Sequence, residues 1–438
     1  MKRLAYHNLG CKVNYYELEA VLGLMKNEGY SVVGFDEEAD VYIINTCSVT
    51  NTSDQKSRQM INRARQRNKD AVVIAMGCFI QENANAKNKS INADILIGNN
   101  RKHNILEDIE KYKSEKCQII DCEDINNPAV CYENLSMEET SDHTRAFIKI
   151  QDGCNEFCSY CIIPYARGRV RSKDIDEIVD EVTKLSEKGC REFVLTGIHI
   201  SSYSYEQNNE KLGLIDVIER IANIDGVSRI RLGSLEPRII TKEFVERLAK
   251  IDKICPHFHL SLQSGSDSVL KRMNRKYTTE EYYDSCILLR EYFKQPAITT
   301  DVIVGFPGET KEEFDETYSF FDKIHFYEMH VFKYSRRQGT KADRMANQID
   351  EKIKKERSAK LLELNKKMSD EYREGFIDKE LDVLFEEEVL IDEVRYFQGY
   401  SKRYIKALIK TDEDLSNQIV ECCGKEIMNN ALLVEKLK

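Results

Sequence analysis

Between residues 147 and 333 six short apolar runs are separated by longer amphipathic stretches, and this repetition constrains the fold more than any other feature. The runs at 147–151, 192–195, 228–232, 258–262, 298–304 and 329–333 read as strands. Helical patterns follow at about 174–188, 213–223, 241–250, 279–293 and 311–323, some entered through a cap such as Thr241 or Thr279. Successive strand–helix units give parallel strands with right-handed crossovers, so six of them predict an open or partial (β/α)6 barrel. Chemistry on such a barrel sits in the loops after the strands. That sets a test within the sequence: chemical residues should fall just past each run.

Past the first run comes the loop Gly153-Cys154-Asn155-Glu156-Phe157-Cys158-Ser159-Tyr160-Cys161-Ile162-Ile163-Pro164. Three thiolates spaced Cys-x3-Cys-x2-Cys can hold three irons of a 4Fe–4S cube and leave the fourth open to an exchangeable ligand. A zinc ion would want a fourth protein ligand, and the nearest downstream Cys or His is Cys190, on another predicted element. The later runs are followed by Thr196-Gly197, by Gly233-Ser234-Leu235-Glu236-Pro237, by Gln263-Ser264-Gly265-Ser266, by Gly305-Phe306-Pro307-Gly308-Glu309 and by Tyr334-Ser335-Arg336-Arg337. Small, polar and charged residues thus gather on the rim, although Gly and Ser also serve simply to turn strands into helices.

The first segment repeats the strand–helix pattern on a smaller scale. Runs at 4–9, 41–45 and 72–76 alternate with helices at about 13–29 and 53–68, with a further strand at 94–97 and a closing helix at 101–112. A parallel sheet is expected, with its ligand edge at the C-terminal ends of the strands. Cys11, Cys47 and Cys78 each fall one or two residues past a strand, so all three thiols should emerge on that edge. They read as a second cluster site, or as three buried core cysteines. Cys190, Cys255 and Cys286 read as apolar fillers, and Cys117, Cys122, Cys131, Cys422 and Cys423 are given no metal role.

Fourteen cysteines, with no apolar core at the N-terminus and no apolar run long enough to span a bilayer, fit a reducing, cytoplasmic setting. Neither a membrane nor DNA is expected as a partner. A net charge of −10 excludes a histone-like polycation but leaves room for RNA on a local basic face. Three such faces are candidates: the stretch 55–69 with Lys56, Arg58, Arg63, Arg65, Arg67 and Lys69; Arg167, Arg169, Arg171 and Lys173 after the cluster loop; and Lys402, Arg403, Lys406 and Lys410 with Tyr400 and Tyr404. Residues 113–142 are polar and read as linker or edge structure. Residues 352–374 form one charged helix with an apolar stripe, and runs at 382–389, 403–409 and 417–422 predict a small β-barrel. The expected α/β organisation is therefore 1–116, linker 117–142, barrel 143–374 and β-barrel 375–438.

Across its whole length the chain resembles the radical S-adenosylmethionine methylthiotransferases, which join a cluster domain, a radical barrel and a C-terminal TRAM domain. Gly10-Cys11-Lys12-Val13-Asn14 and the stretch from Ile150-Gln151-Asp152-Gly153-Cys154 to Pro164-Tyr165-Ala166-Arg167-Gly168-Arg169 are especially similar to the MtaB branch, which methylthiolates N6-threonylcarbamoyladenosine at tRNA position 37. The resemblance implies a 4Fe–4S cluster on Cys154, Cys158 and Cys161 that cleaves S-adenosylmethionine, and an auxiliary 4Fe–4S cluster on Cys11, Cys47 and Cys78. It implies an S-adenosylmethionine pocket at Tyr160, Gly197, Ser234, Glu236, Gln263, Ile303 and Gly305, while the basic residues Arg167, Arg169, Arg171, Arg336, Lys402 and Arg403 are the expected RNA contacts. A methyl group would pass to a sulfur of the auxiliary cluster, and a 5′-deoxyadenosyl radical would take hydrogen from carbon 2 of the adenine. The implied partners are tRNA and an external low-potential electron donor. Sister branches act on isopentenyl-adenosine or on a ribosomal-protein aspartate. A non-catalytic iron–sulfur electron carrier or scaffold, or a zinc-stabilised RNA-binding module, is the reading from other classes. Glu386-Glu387-Glu388 and the adjacent Cys422 and Cys423 depart from a typical TRAM sequence.

Overall fold

A computed structural model describes residues 2–83, 91–140 and 144–437. The first part runs β1 (Lys2–Asn8), α1 (Lys12–Asn27), β2 (Tyr30–Val33), β3 (Val41–Thr46), α2 (Asn51–Arg67), β4 (Val72–Gly77), α3 (Cys78–Asn83), β5 (Ile95–Ile97), α4 (Ile105–Glu115) and β6 (Ile119–Asp121). Its six strands lie in the order β2-β1-β3-β4-β5-β6 and every neighbouring pair is parallel. Strand side chains alternate between two apolar clusters, one on each face, as a doubly covered parallel sheet requires. The boundary expected at 142–143 lies outside the described residues.

The middle part runs β7 (Arg145–Asp152), α5 (Ile163–Ala166), β8 (Arg171–Ser172), α6 (Ile175–Glu187), β9 (Glu192–Gly197), the hairpin β10 (Ser204–Gln207) and β11 (Glu210–Gly213), α7 (Leu214–Ala222), β12 (Arg229–Leu232), α8 (Lys242–Leu248), β13 (His257–His259), α9 (Asp267–Arg272), α10 (Thr279–Tyr292), β14 (Ala297–Val304), α11 (Lys311–Ile324) and β15 (Glu328–Lys333). β7, β9 and β12 pair in parallel, as do β13, β14 and β15. Isolated bridges at Ile230–Ile254 and Leu235–Leu260 carry the arc from β12 to β13. The result is the expected partial barrel of six parallel strands. Thr241 caps α8 as expected, whereas α10 is capped by Thr278 rather than Thr279. The Thr278 hydroxyl accepts the Glu281 N–H and Glu281 accepts the Thr278 N–H.

Alternation along these strands divides the barrel sharply. Ala146, Ile148, Ile150, Phe193, Leu195, Ile230, Leu232, Phe258, Ile298, Val302 and Met329 join the large core under the helices. The opposite face carries Arg145, Phe147 and Lys149; Glu192 and Thr196; Arg229 and Arg231; His257 and His259; Thr299 and Asp301; and His330. The interior of the arc is thus charged and polar, a surface suited to a ligand.

After α12 (Glu351–Glu374), β16 (Glu380–Ile391), β17 (Val394–Ser401), β18 (Lys406–Ile409), β19 (Ile419–Met428) and β20 (Ala431–Lys436) close into a five-stranded barrel. Its 400–404 turn plugs one end of the arc. Tyr400 and Tyr404 stack at 4.7 Å, and the guanidiniums of Arg145 and Arg231 lie over the Tyr404 ring at 5.4 and 4.6 Å. Glu386 turns inward to meet Arg145 at 2.7 Å, which gives one of the three consecutive acids a structural purpose. No helix among the described residues is long and apolar enough to cross a membrane.

Candidate active site

The Cys154 loop leaves β7 at its C-terminal end, on the barrel rim. Gly153 sits at φ +72°, and a Cβ there would lie 1.8 Å from the Arg169 carbonyl oxygen, so only glycine allows this crossing. Gly168, at φ +70°, packs against the Ile125 carbonyl in the same way and accepts the Cys154 N–H at 3.0 Å. The loop is further tied to the turn after α9. Ser159 donates its N–H to the Met273 carbonyl and its hydroxyl to the Arg272 carbonyl, and Asn274 donates to the Phe157 carbonyl. Arg275, half-buried in that turn, donates Nη1 to the Cys158 sulfur at 3.3 Å. Nothing in the residue pattern had singled out Arg275. Burial pushes the Cys154 thiol up to about 11 and Cys161 up to about 12, each also facing the other thiols of the loop.

Cys11, Cys47 and Cys78 follow β1, β3 and β4, which are adjacent in the sheet, so the three thiols leave one edge side by side. Burial raises Cys11 and Cys47, and each lies within electrostatic reach of Cys78. Asn14 organises this edge: its amide nitrogen donates to the Leu9 and Thr46 carbonyls and its oxygen faces Cys11. Asn99 donates toward the Cys78 sulfur at 3.5 Å and to the Ala166 carbonyl at 2.8 Å.

The donor chemistry of both trios fits iron–sulfur clusters. Among the described residues, the ligand atoms of His259, Asp301 and His330 form the one trio of His, Cys, Asp or Glu lying within 4.8 Å of one another. A mononuclear zinc with Zn–S bonds of ~2.3 Å would draw its sulfurs to within roughly 4 Å of each other. Neither cysteine trio is that tight.

A buried ionic network joins the two trios. Arg167, just past the Cys154 loop, binds Glu17 of α1 at 2.8 Å and Asp152 at 3.1 Å, and donates Nη2 to the Asn14 oxygen at 2.8 Å. Lys149 meets Glu17 and Asp152 at 2.6 Å each, and Lys102 meets Glu17 at 3.1 Å. Burial alone would raise the Glu17 and Asp152 carboxyls, but the surrounding cations outweigh it and hold both well below the usual carboxylate range. Glu17 and Asn14 are polar residues on an otherwise buried helix face, and that interruption was the available signal for them.

The expected S-adenosylmethionine residues lie around the same rim. Tyr160 packs edge-on to Phe306 at 6.4 Å, near Cys158 and Cys161. Gly197 packs closely on Gln151, whose carbonyl oxygen would lie 2.9 Å from a Cβ there, and the Gly305 N–H donates to Glu309 at 2.7 Å. Gln263 takes φ +76° and bridges to β14, its carbonyl accepting the Ile303 N–H. Ser234 is exposed, while Glu236 is buried and binds Arg238 at 2.6 Å. A cleft of about 460 Å³ opens beside the loop between Glu156, His199, Glu236 and Arg238; of the expected set it takes in Glu236 alone.

The RNA expectation needs correction. Arg167 has no exposed surface, and Arg171 is buried with its guanidinium on the Arg167 and Arg169 carbonyls; both are structural. Lys402 and Arg403 spend their donors on the carbonyls of Asp252, Lys294 and Gln295, docking the small barrel onto the arc. Tyr400 and Tyr404 face inward with them. In α2, Arg63 and Arg67 pair with Asp36, and Arg65 pairs with Asp94. Arg169 and Arg336 remain on the surface, the first over the Phe157 ring at 4.6 Å and the second beside Asp343.

Comparison with known proteins adds the following. Residues 148–321 match the Radical SAM superfamily and residues 3–98 match Uncharacterized protein family UPF0004. The chain is 43% identical over 422 residues to a threonylcarbamoyladenosine tRNA methylthiotransferase MtaB of Bacillus subtilis (strain 168), covering 96% of this chain and 93% of that relative. It is 34% identical to a tRNA-2-methylthio-N(6)-dimethylallyladenosine synthase of Alkaliphilus oremlandii (strain OhILAs), covering 88% of this chain and 82% of the relative. Among solved structures, the radical S-adenosylmethionine methyltransferase TsrM of Kitasatospora setae superposes with a TM-score of 0.54 at 14% identity, over 76% of this chain and 73% of that one. That last likeness is one of fold.

Proposed function

The chain belongs to the radical S-adenosylmethionine methylthiotransferase family, and on that footing we propose that it replaces the hydrogen on carbon 2 of N6-threonylcarbamoyladenosine, at position 37 of tRNA, by a methylthio group. It is a transferase that uses a 4Fe–4S cluster and S-adenosylmethionine. The observation that carries the finer reading is its 43% identity, over nearly its whole length, to a relative named for that substrate. The charged interior of the arc supports it too, because a threonylcarbamoyl group carries a carboxylate and a hydroxyl, whereas a dimethylallyl group carries neither.

In this reading Cys154, Cys158 and Cys161 hold the radical cluster, and Cys11, Cys47 and Cys78 hold a second one at the edge of the first sheet. When bound, these groups and S-adenosylmethionine supply one-electron cleavage, hydrogen abstraction and the transferred sulfur with its methyl group. The chain's own residues do the rest. Arg275 places a charge-assisted donor against Cys158 and steadies negative charge on that sulfur. Gly197 and Gly305 let the rim pack closely: a Cβ at Gly197 would lie 2.9 Å from the Gln151 carbonyl oxygen, and one at Gly305 2.3 Å from the Lys354 side chain. The Arg167–Glu17–Asp152 network fixes the distance between the two thiol trios, so that a base entering the arc meets both. The stacked Tyr400 and Tyr404 close the far end against water. Arg169 and Arg336, on rim loops, are left to grip RNA phosphate. The small C-terminal barrel takes the place of a TRAM domain, and an external low-potential donor supplies the electron.

Anaerobically reconstituted protein, given S-adenosylmethionine, a low-potential reductant and tRNA bearing N6-threonylcarbamoyladenosine, should form 5′-deoxyadenosine and the 2-methylthio nucleoside together. Formation of 5′-deoxyadenosine with no methylthio product on any tRNA would sink the reading.

A further inference from the structure

The cations of the arc are matched, with one exception. Arg145 binds Glu192 at 2.7 Å and Glu386 at 2.7 Å; Arg231 binds Glu192 at 2.8 Å; Arg229 binds Asp382 at 3.1 Å. Lys12 has no ion pair or hydrogen bond among the described residues, only the Phe147 ring at 5.7 Å from its ammonium. It is the first residue of α1, directly after Cys11, and its charge lies within electrostatic reach of Arg231, Arg145 and Glu192 and of His257 across the arc. Its side chain is exposed to solvent beside Phe147, a residue of the arc's inner face. An ammonium with no protein partner is free to take an anion that a ligand brings to it.

The chemistry of the base says which anion. Carbon 2 and the carbon bearing N6 flank the same ring nitrogen, so a base that presents carbon 2 to the Cys11 edge brings its N6 substituent alongside. The residue on that edge with an unmatched charge is Lys12. We infer that Lys12 binds the carboxylate of the threonylcarbamoyl group and thereby selects this adenosine over one bearing a dimethylallyl group; the inference rests on the function proposed above. A dimethylallyl group would displace water from the ammonium and offer it no partner in exchange. The His259–Asp301 pair, joined at 3.2 Å on the opposite strands, lies in the same interior and offers the remaining polar partners.

The test uses reconstituted holoenzyme and three anticodon stem-loops, carrying N6-threonylcarbamoyladenosine, its methyl ester, or N6-dimethylallyladenosine. Binding is read by fluorescence anisotropy and turnover by nucleoside mass spectrometry. Wild-type protein should bind the acid about 10- to 100-fold more tightly than the ester, the span of a charge-assisted hydrogen bond. Lys12→Met should raise KM for the acid by a similar factor with a much smaller change in kcat, and should bind acid and ester alike; Lys12→Arg should recover most of the difference. If wild-type protein binds ester and acid equally while converting the acid, Lys12 has no such role, whether or not the variants retain their iron, and the proposed function stands. If it converts the dimethylallyl RNA and not the acid, both readings fall.

Discussion

Arg167 and Glu17, 150 residues apart in the chain, meet at 2.8 Å with neither side chain exposed to solvent. Their contact ties the loop after the first barrel strand to the first helix of the N-terminal sheet. It therefore sets how the two cysteine trios face one another. A buried ion pair is a poor source of net stability but an expensive thing to break, since one partner is then left charged and dry.

Arg167→Met should accordingly destabilise the chain by about 3–5 kcal/mol, the range for removing one member of a buried pair. Urea unfolding followed by circular dichroism measures this. Arg167→Lys should recover only part of the loss, because one ammonium cannot reach Glu17, Asp152 and Asn14 as the forked guanidinium does.

The same network makes stability depend on acid. Glu17 and Asp152 have folded-state values held well below their unfolded values of roughly 4. A depressed carboxylate contributes stability that is fully present above its unfolded value and is lost as pH falls through that value toward the folded one. The unfolding free energy should thus be flat near neutrality and drop steeply below about pH 4. Glu17→Gln should be less stable at pH 7 yet lose less on acidification; parallel pH profiles for the two chains would count against this account.

Arg275 is expected to tune rather than build its site. Arg275→Leu removes the N–H aimed at the Cys158 sulfur and should make the radical cluster harder to reduce, since hydrogen bonds to sulfur help set such potentials. Redox titration followed by electron paramagnetic resonance should find a lower potential with iron content unchanged.

Gly153→Ala tests the loop itself. A Cβ 1.8 Å from the Arg169 carbonyl at φ +72° forces the backbone aside. Iron and sulfide analysis should show one cluster lost and the other retained.

Cys158→Ala and Cys47→Ala should fail differently. The first should abolish 5′-deoxyadenosine; the second should keep forming it while the methylthio product disappears. Normal product from Cys47→Ala would remove the second cluster from the account.

The barrel and both cysteine edges were legible because apolar runs announce buried parallel strands, and thiols placed just past them fall on one edge by topology. Shorter or interrupted elements were not. β2 has four residues directly after Gly29, so its signal merges with the end of a helix. β17 is broken in sequence by Gly399, where a Cβ would sit 2.3 Å from the Leu384 carbonyl oxygen, a close crossing that reads as a turn. Basic residues misled for a different reason. Sequence gives the sign of Arg167, Arg171, Lys402 and Arg403 but not their partners, and all four are committed to carboxylates or carbonyls within the protein. Lys12 shows the converse: the role proposed for it rests on its having no ion pair or hydrogen bond among the described residues, which only the folded arrangement reveals.

Nucleoside mass spectrometry of tRNA from cells with and without this gene tests the central claim most directly. Loss of the gene should eliminate 2-methylthio-N6-threonylcarbamoyladenosine and raise N6-threonylcarbamoyladenosine in its place. An unchanged level of that nucleoside, with the 2-methylthio-dimethylallyl nucleoside lost instead, would contradict the account.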